Sequence, residues 1–199
     1  VYNQEKILDI KQRLAELPYM ELKGDPTVRF VGNYASIDIP VQKKKSSRFD
    51  FVVGFIPKTE PTQRFGISGE FLSEFYNSFG AGEHIFINLK RLKPQTQELK
   101  LAFSYPYLFQ LPFAVEFDFD LFRLDSMYTD VNYSIGLRYL LGGNNYLSAS
   151  WKNNSAFTQF VDTDQLEQSK KLPSILDIRK NSLAIAYYLE KLDYRFNPR

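Results

Sequence analysis

Phe113-Ala114-Val115-Glu116-Phe117-Asp118-Phe119-Asp120-Leu121 is the stretch that decides the fold. Phe113, Val115, Phe117, Phe119 and Leu121 alternate with Glu116, Asp118 and Asp120, a period of two. That period belongs to a β-strand whose two faces meet different surroundings. A dry core would penalise each unpaired carboxylate by several kcal/mol, so the acidic face needs water or counter-charges. The opposite face suits a core or hydrocarbon.

Seven further stretches alternate in the same way: Phe49–Phe55, Phe65–Phe71, Ile85–Leu89, Leu99–Tyr105, Val131–Tyr139, Leu147–Trp151 and Leu183–Leu189. Eight strands joined by short links are predicted, with one polar loop across about residues 155–180. Composition agrees with a β protein: 16% of the 199 residues are aromatic, from 18 Phe, 13 Tyr and one Trp. Without Cys there is no disulfide framework and no thiolate metal site. A net charge of +2 lacks the footprint of a dedicated nucleic-acid binder. No apolar run approaches the roughly 20 residues of a transmembrane helix.

Ahead of Phe49 the period differs. Ile7, Ile10, Leu14 and Leu17 share one helical face, with Asn3 as cap and Pro18 as stop. Val28 and Phe30, then Ala35, Ile37 and Ile39 after Gly32-Asn33, predict a hairpin. A helix and two strands bury little core alone, so this segment reads as the end of a small α/β module. Lys43-Lys44-Lys45-Ser46-Ser47-Arg48 follows, either a solvated linker or cations beside anionic headgroups. The ends, Val1-Tyr2-Asn3-Gln4 and Phe196-Asn197-Pro198-Arg199, give the expectation of a longer polypeptide.

Alternation alone fits a soluble sandwich as well as a membrane barrel. Three details favour the barrel. Several strands approach the length a tilted strand needs to cross hydrocarbon. Tyr and Phe crowd strand ends, at Phe75-Tyr76, Tyr105, Tyr107, Tyr128, Tyr139, Tyr146 and Tyr194, where interfacial girdles sit. The polar face carries full charges, which a water-filled lumen accepts. Lys90, Lys100 and Arg138 are the cations expected to pair with the acidic ladder. Neighbouring ladder carboxylates lie about 7 Å apart, within reach of acid–base chemistry, yet an extended strand is a poor metal loop. His84, lacking partners for a hydrolytic triad, reads as structural. No catalytic residue, metal or cofactor is expected, and the protein is read as non-enzymatic.

The links carry a more specific signal. Asn77-Ser78-Phe79-Gly80-Ala81-Gly82-Glu83 resembles the strand turn of the BamA/TamA/FhaC superfamily of outer-membrane assembly and secretion factors. Ser104-Tyr105-Pro106-Tyr107-Leu108-Phe109 with Leu111-Pro112-Phe113 is similar to that family's link into the next strand. Leu192-Asp193-Tyr194-Arg195-Phe196-Asn197-Pro198-Arg199 is similar to one of its strand ends. The three occur in the family's order. The resemblance implies that residues 1–45 end a periplasmic POTRA module and that residues 46–199 form the N-terminal half of a barrel of about sixteen strands. It also implies location in the bacterial outer membrane and partners among unfolded outer-membrane or secreted clients, lipid and accessory lipoproteins. The alternatives are a two-partner-secretion pore or a passive barrel in which eight strands are complete.

The resemblance further implies a weak seam at the first barrel strand, with Phe49, Phe51, Val53, Gly54 and Phe55 as a template for an incoming strand. Gly54 otherwise simply permits bending. Lipid-facing residues are expected to be Phe113, Val115, Phe117, Phe119 and Leu121. Glu116, Asp118, Asp120 and Arg138 are expected to face the lumen.

Overall fold

In the computed structural model all eight alternating stretches form strands of one sheet. The structure describes residues 10, 14, 17–32, 34–56, 66–91, 93, 96–124, 128–142, 145–158 and 177–189. The chain divides into two units, Val1–Ser47 and Arg48–Arg199.

In the first unit, Ile10 and Leu14 are helical, while the rest of the expected helix before Leu17 lies outside the described residues. The expected hairpin is β2 (Thr27–Val31) paired with β3 (Tyr34–Asp38), joined through Gly32 at φ 60°. An exposed Arg29–Asp38 ion pair links the two strands. A second ladder joins β1 (Met20–Leu22) to β4 (Val41–Lys43). Three-residue strands show no period, so this pair left no sequence signal.

The second unit is an antiparallel meander. It runs through β5 (Arg48–Ile56), β6 (Gly66–Tyr76), β7 (His84–Arg91), β8 (Thr96–Tyr105), β9 (Phe113–Leu124), β10 (Tyr128–Gly142), β11 (Asn145–Thr158) and β12 (Ile178–Tyr188). Each strand pairs with its neighbour in sequence. Most strands exceed the 5–6 residues usual in soluble sheets, β10 reaching 15 and β11 14. β11 continues seven residues past Trp151, where its expected run ended, and β12 starts at Ile178. Both strands thus take residues from the loop expected across 155–180, whose remainder, 159–176, lies outside the described residues. The expected strand end at 192–199 also lies outside them.

The sheet is open. β5 and β12 stand at opposite ends of the strand order and do not pair with each other. A closed eight-stranded barrel, as a passive pore of eight strands would require, is therefore not what the described residues form. Nor is there a second layer: among the described residues Ala114 is the only buried apolar side chain. Among the described residues of the second unit, no further element covers either face of the sheet.

Candidate functional site: two faces and an open edge

The pleat puts Glu116, Asp118 and Asp120 on one face of β9 and Phe113, Val115, Phe117, Phe119 and Leu121 on the other. Registers carry that division through the whole sheet. On the polar face Glu116 pairs with Arg138 of β10, and Lys100 Nζ of β8 lies 3.6 Å from Asp120. Asp118 instead accepts a hydrogen bond from Ser134 Oγ at 2.9 Å. Lys90 turns to Glu70 of β6 at 3.0 Å rather than to the ladder. Arg138 also donates to Ser104 and lies 4.9 Å over the Tyr146 ring. Each of the three ladder carboxylates thus has a cross-strand partner.

On the apolar face, residues opposite one another form rows across the strands. One row runs Phe117, Ile135, Trp151, Leu183 and is apolar throughout. The next runs Phe119, Tyr133, Asn153, Asn181 and turns polar at β11. Moving toward β5, the apolar residues extend further along that same direction. They stop at Leu89, Leu99, Leu121 and Val131 on β7 to β10, where Arg91, Gln97, Arg123 and Thr129 follow. On β5 and β6 they reach one row further still and beyond, to Phe55 and Ile67. The opposite limit shifts the same way, from Phe49 on β5 to Tyr187 on β12.

The apolar band is thus diagonal to the rows. Its two limits move by about six to eight residues, about 20–27 Å, while crossing seven interstrand steps of about 4.8 Å. A band level in its surroundings would then have strands tilted by about 30–40°, against roughly 35–45° in outer-membrane barrels. On β9 the run from Phe113 to Leu121 is about 27 Å long, or about 21 Å along the normal at that tilt, close to the roughly 25 Å of such bands.

The edge strand β5 exposes Phe49, Phe51, Val52, Val53 and Phe55, with no strand on its outer side among the described residues. Behind it the β5–β6 pairing sets Phe51 against Phe71 and Phe55 against Ile67, with small residues between and beside them at Gly54, Ser68, Gly69 and Ser73. A Cβ on Gly54 would stand 2.6 Å from Ser68 Oγ, and one on Gly69 3.0 Å from the Val52 carbonyl oxygen. Gly54 therefore accommodates the Ser68 side chain as well as giving the strand freedom to bend. Ser73, on the apolar face, is fully buried and its hydroxyl has no partner among the described residues. Near the start of β5, Arg48 Nε donates to Glu74 at 2.9 Å. The same carboxylate accepts from Tyr76 OH at 2.6 Å and lies 3.1 Å from His84 Nε2, whose ring stacks on Tyr76 at 4.4 Å. His84 is thereby a member of a cross-strand cluster that the spacing of single residues did not disclose.

The turn between β6 and β7 is interlocked. Glu83, 1% exposed, accepts the backbone N–H groups of Phe79 and Ala81, the latter at 3.1 Å. Asn77 Oδ1 accepts Gly82 N–H at 2.8 Å, and Asn77 N donates to Glu83 O at 2.7 Å. Asn77, Gly80 and Gly82 all take positive φ, which suits glycine and asparagine. Burial pushes the Glu83 carboxyl up, but the backbone N–H donors of the turn outweigh it and hold it below the ordinary carboxylate value. In the link from β8 to β9, Tyr107, Phe109 and Gln110 also adopt positive φ, where bulky side chains are strained.

No family model matches the chain, and no curated protein matches it. Among solved structures the chain is similar to BamA from Haemophilus ducreyi, in a crystal structure lacking POTRA domains 1–3. The identity is 15% and the TM-score 0.48, over 94% of this chain and 38% of that one. The chain therefore spans well under half the length of that protein.

Proposed function

We propose that the eight-stranded sheet is part of the wall of an outer-membrane β-barrel that inserts or translocates other proteins. In this reading the first unit is the end of a periplasmic POTRA module that receives unfolded client. The protein is not an enzyme, and needs no cofactor. The diagonal apolar band on a sheet with no second layer carries the reading, because tilted strands in a level hydrocarbon slab give that pattern. Order and spacing of the three link motifs support the assembly branch. So does the β5 edge, whose unpaired N–H and C=O groups can pair with an added strand.

Phe49, Phe51, Val53, Gly54 and Phe55 form the template; Phe113, Val115, Phe117, Phe119 and Leu121 meet lipid; Glu116, Asp118, Asp120 and Arg138 line the lumen. Augmentation uses the backbone, so Val53→Pro should impair assembly of a model outer-membrane client far more than Val53→Ala. Cysteines cross-linking β5 to the strand that closes the barrel should stop insertion. Full activity with the seam locked would reject the lateral route and favour a secretion pore whose client leaves through the lumen. Recovery of the native protein as a detergent-free soluble monomer would end the membrane reading altogether.

A further inference from the structure

The arginines of the eight described strands that share the apolar face are Arg91, Arg123 and Arg179. All three lie past the apolar band on the same side. Arg91 follows Leu89, Arg123 follows Leu121, and Arg179 lies beyond Asn181 and Leu183. At the other limit of the band the same face carries Tyr105, Tyr139 and Tyr187 instead. One rim carries arginines, with the Asp177 carboxylate held by Thr158 at its β12 end, and the other is aromatic, an asymmetry that a symmetric hydrocarbon slab does not call for.

The polar part of this rim is widest on β10 to β12, around Arg179. There Asn153 and Ser155, each 6% exposed, sit with Asn181 and Arg179 in an open depression of about 500 Å³ whose walls include Tyr133 and Trp151. Asn153 Nδ2 donates to Asn181 Oδ1 at 2.7 Å, and Ser155 Oγ donates to Asn153 Oδ1 at 2.8 Å. Those bonds use the Asn181 oxygen, and Arg179 lines the same depression. Tyr133 packs edge-on against Trp151 at 5.5 Å, an aromatic pair of the kind found where interface meets hydrocarbon. A guanidinium in a depression that also presents aromatic rings suits a phosphate attached to an apolar or sugar body.

We infer that this rim binds phosphate-bearing lipid headgroups of one leaflet, with the depression around Arg179 as its principal site. The inference rests on the membrane reading above. β5 enters from the module side, so the basic rim lies on the far side, in the outer leaflet.

The test uses the full native protein inserted into vesicles of phosphatidylcholine alone or doped with phosphatidylglycerol or a phosphorylated glycolipid. Insertion is scored first, by protease protection, and lipid retained through purification is then measured. Wild type should enrich the phosphate-bearing dopant over phosphatidylcholine. Arg179→Gln should lower that enrichment about fivefold, the effect of one arginine at a membrane surface. Lys180→Gln removes the same charge from the adjacent residue, on the opposite face, and should leave the enrichment unchanged. Equal losses in the two variants would reduce the effect to net charge and overturn the site. Loss of enrichment on adding inorganic phosphate, with insertion intact, would make it a free-anion site and overturn the lipid occupant. Failure of wild type to insert would sink the membrane reading and this inference together. Normal insertion without enrichment would sink the inference alone.

Discussion

The central hairpin β9–β10 and the edge hairpin β5–β6 belong to one sheet and are built to opposite specifications. β9 and β10, of 12 and 15 residues, carry an unbroken apolar run on one face, and on the other the ladder carboxylates paired with Arg138 and Ser134. β5 is nine residues long, and Gly54, Ser68, Gly69 and Ser73 replace bulk with thin contacts at its partner. The Arg48–Glu74 pair ties one end of that hairpin. The centre is paired by side chains on both faces along its length, whereas the edge alternates the Phe51–Phe71 and Phe55–Ile67 pairs with thin glycine and serine contacts. An edge that must accept or release a strand gains from that arrangement.

The largest expected effect lies in the centre. Phe117→Arg should cost about 2–4 kcal/mol in urea unfolding from lipid vesicles, while Asp118→Ala on the adjacent position should stay within about 0.5 kcal/mol. Equal costs would break the contrast between faces on which the comparison stands. Next comes the turn that closes the edge hairpin toward β7. Glu83→Gln should cost about 1–3 kcal/mol, because backbone donors lose a charged acceptor. Since the folded carboxyl is held below its ordinary value, its contribution is complete above the ordinary carboxylate range. It is lost as pH falls through the depressed folded value. Wild type should therefore lose stability on acidification over that window, and the glutamine variant should lose less; parallel pH curves would remove Glu83 from the turn's energetics.

At the edge itself, Gly69→Ala should destabilise by about 1 kcal/mol, since its Cβ meets a backbone carbonyl oxygen that cannot swing away. Gly54→Ala should cost less, because the Ser68 hydroxyl can rotate. The smallest effect has the opposite sign: Ser73→Ala removes a buried hydroxyl that has no partner among the described residues and should stabilise by up to about 1 kcal/mol. A large destabilisation by Ser73→Ala would mean that the edge is packed as tightly as the centre.

Alternation was legible wherever the two faces differ along the whole strand, as from Phe113 to Leu121, and all eight strands were anticipated from it. It failed where the band leaves the strand. Beyond Trp151 the apolar side of β11 continues as Asn153 and Ser155, so both faces read polar and the strand was cut short. The tilt hides that change, because no single strand contains it. Cation partners for Glu116 and Asp120 followed from charge and strand adjacency, whereas Lys90 went to Glu70 because register, not charge, decides who is opposite. The Glu83 motif was visible as a pattern, but its role as acceptor for the turn needed backbone conformations that residue types do not specify. The Glu74–Tyr76–His84 cluster required the β6–β7 register for the same reason.

Because every strand pairs with the one just before or after it, the sheet needs no long-range closure to begin folding. Hairpins can form on the timescale of local chain motions and add to one another in either direction, each new strand meeting an edge already laid out. Such growth leaves a sticky border at every stage, which in water invites pairing with the wrong chain. An assembly route that keeps the nascent border covered, or delivers it directly into hydrocarbon, would decide how much of the protein reaches this topology.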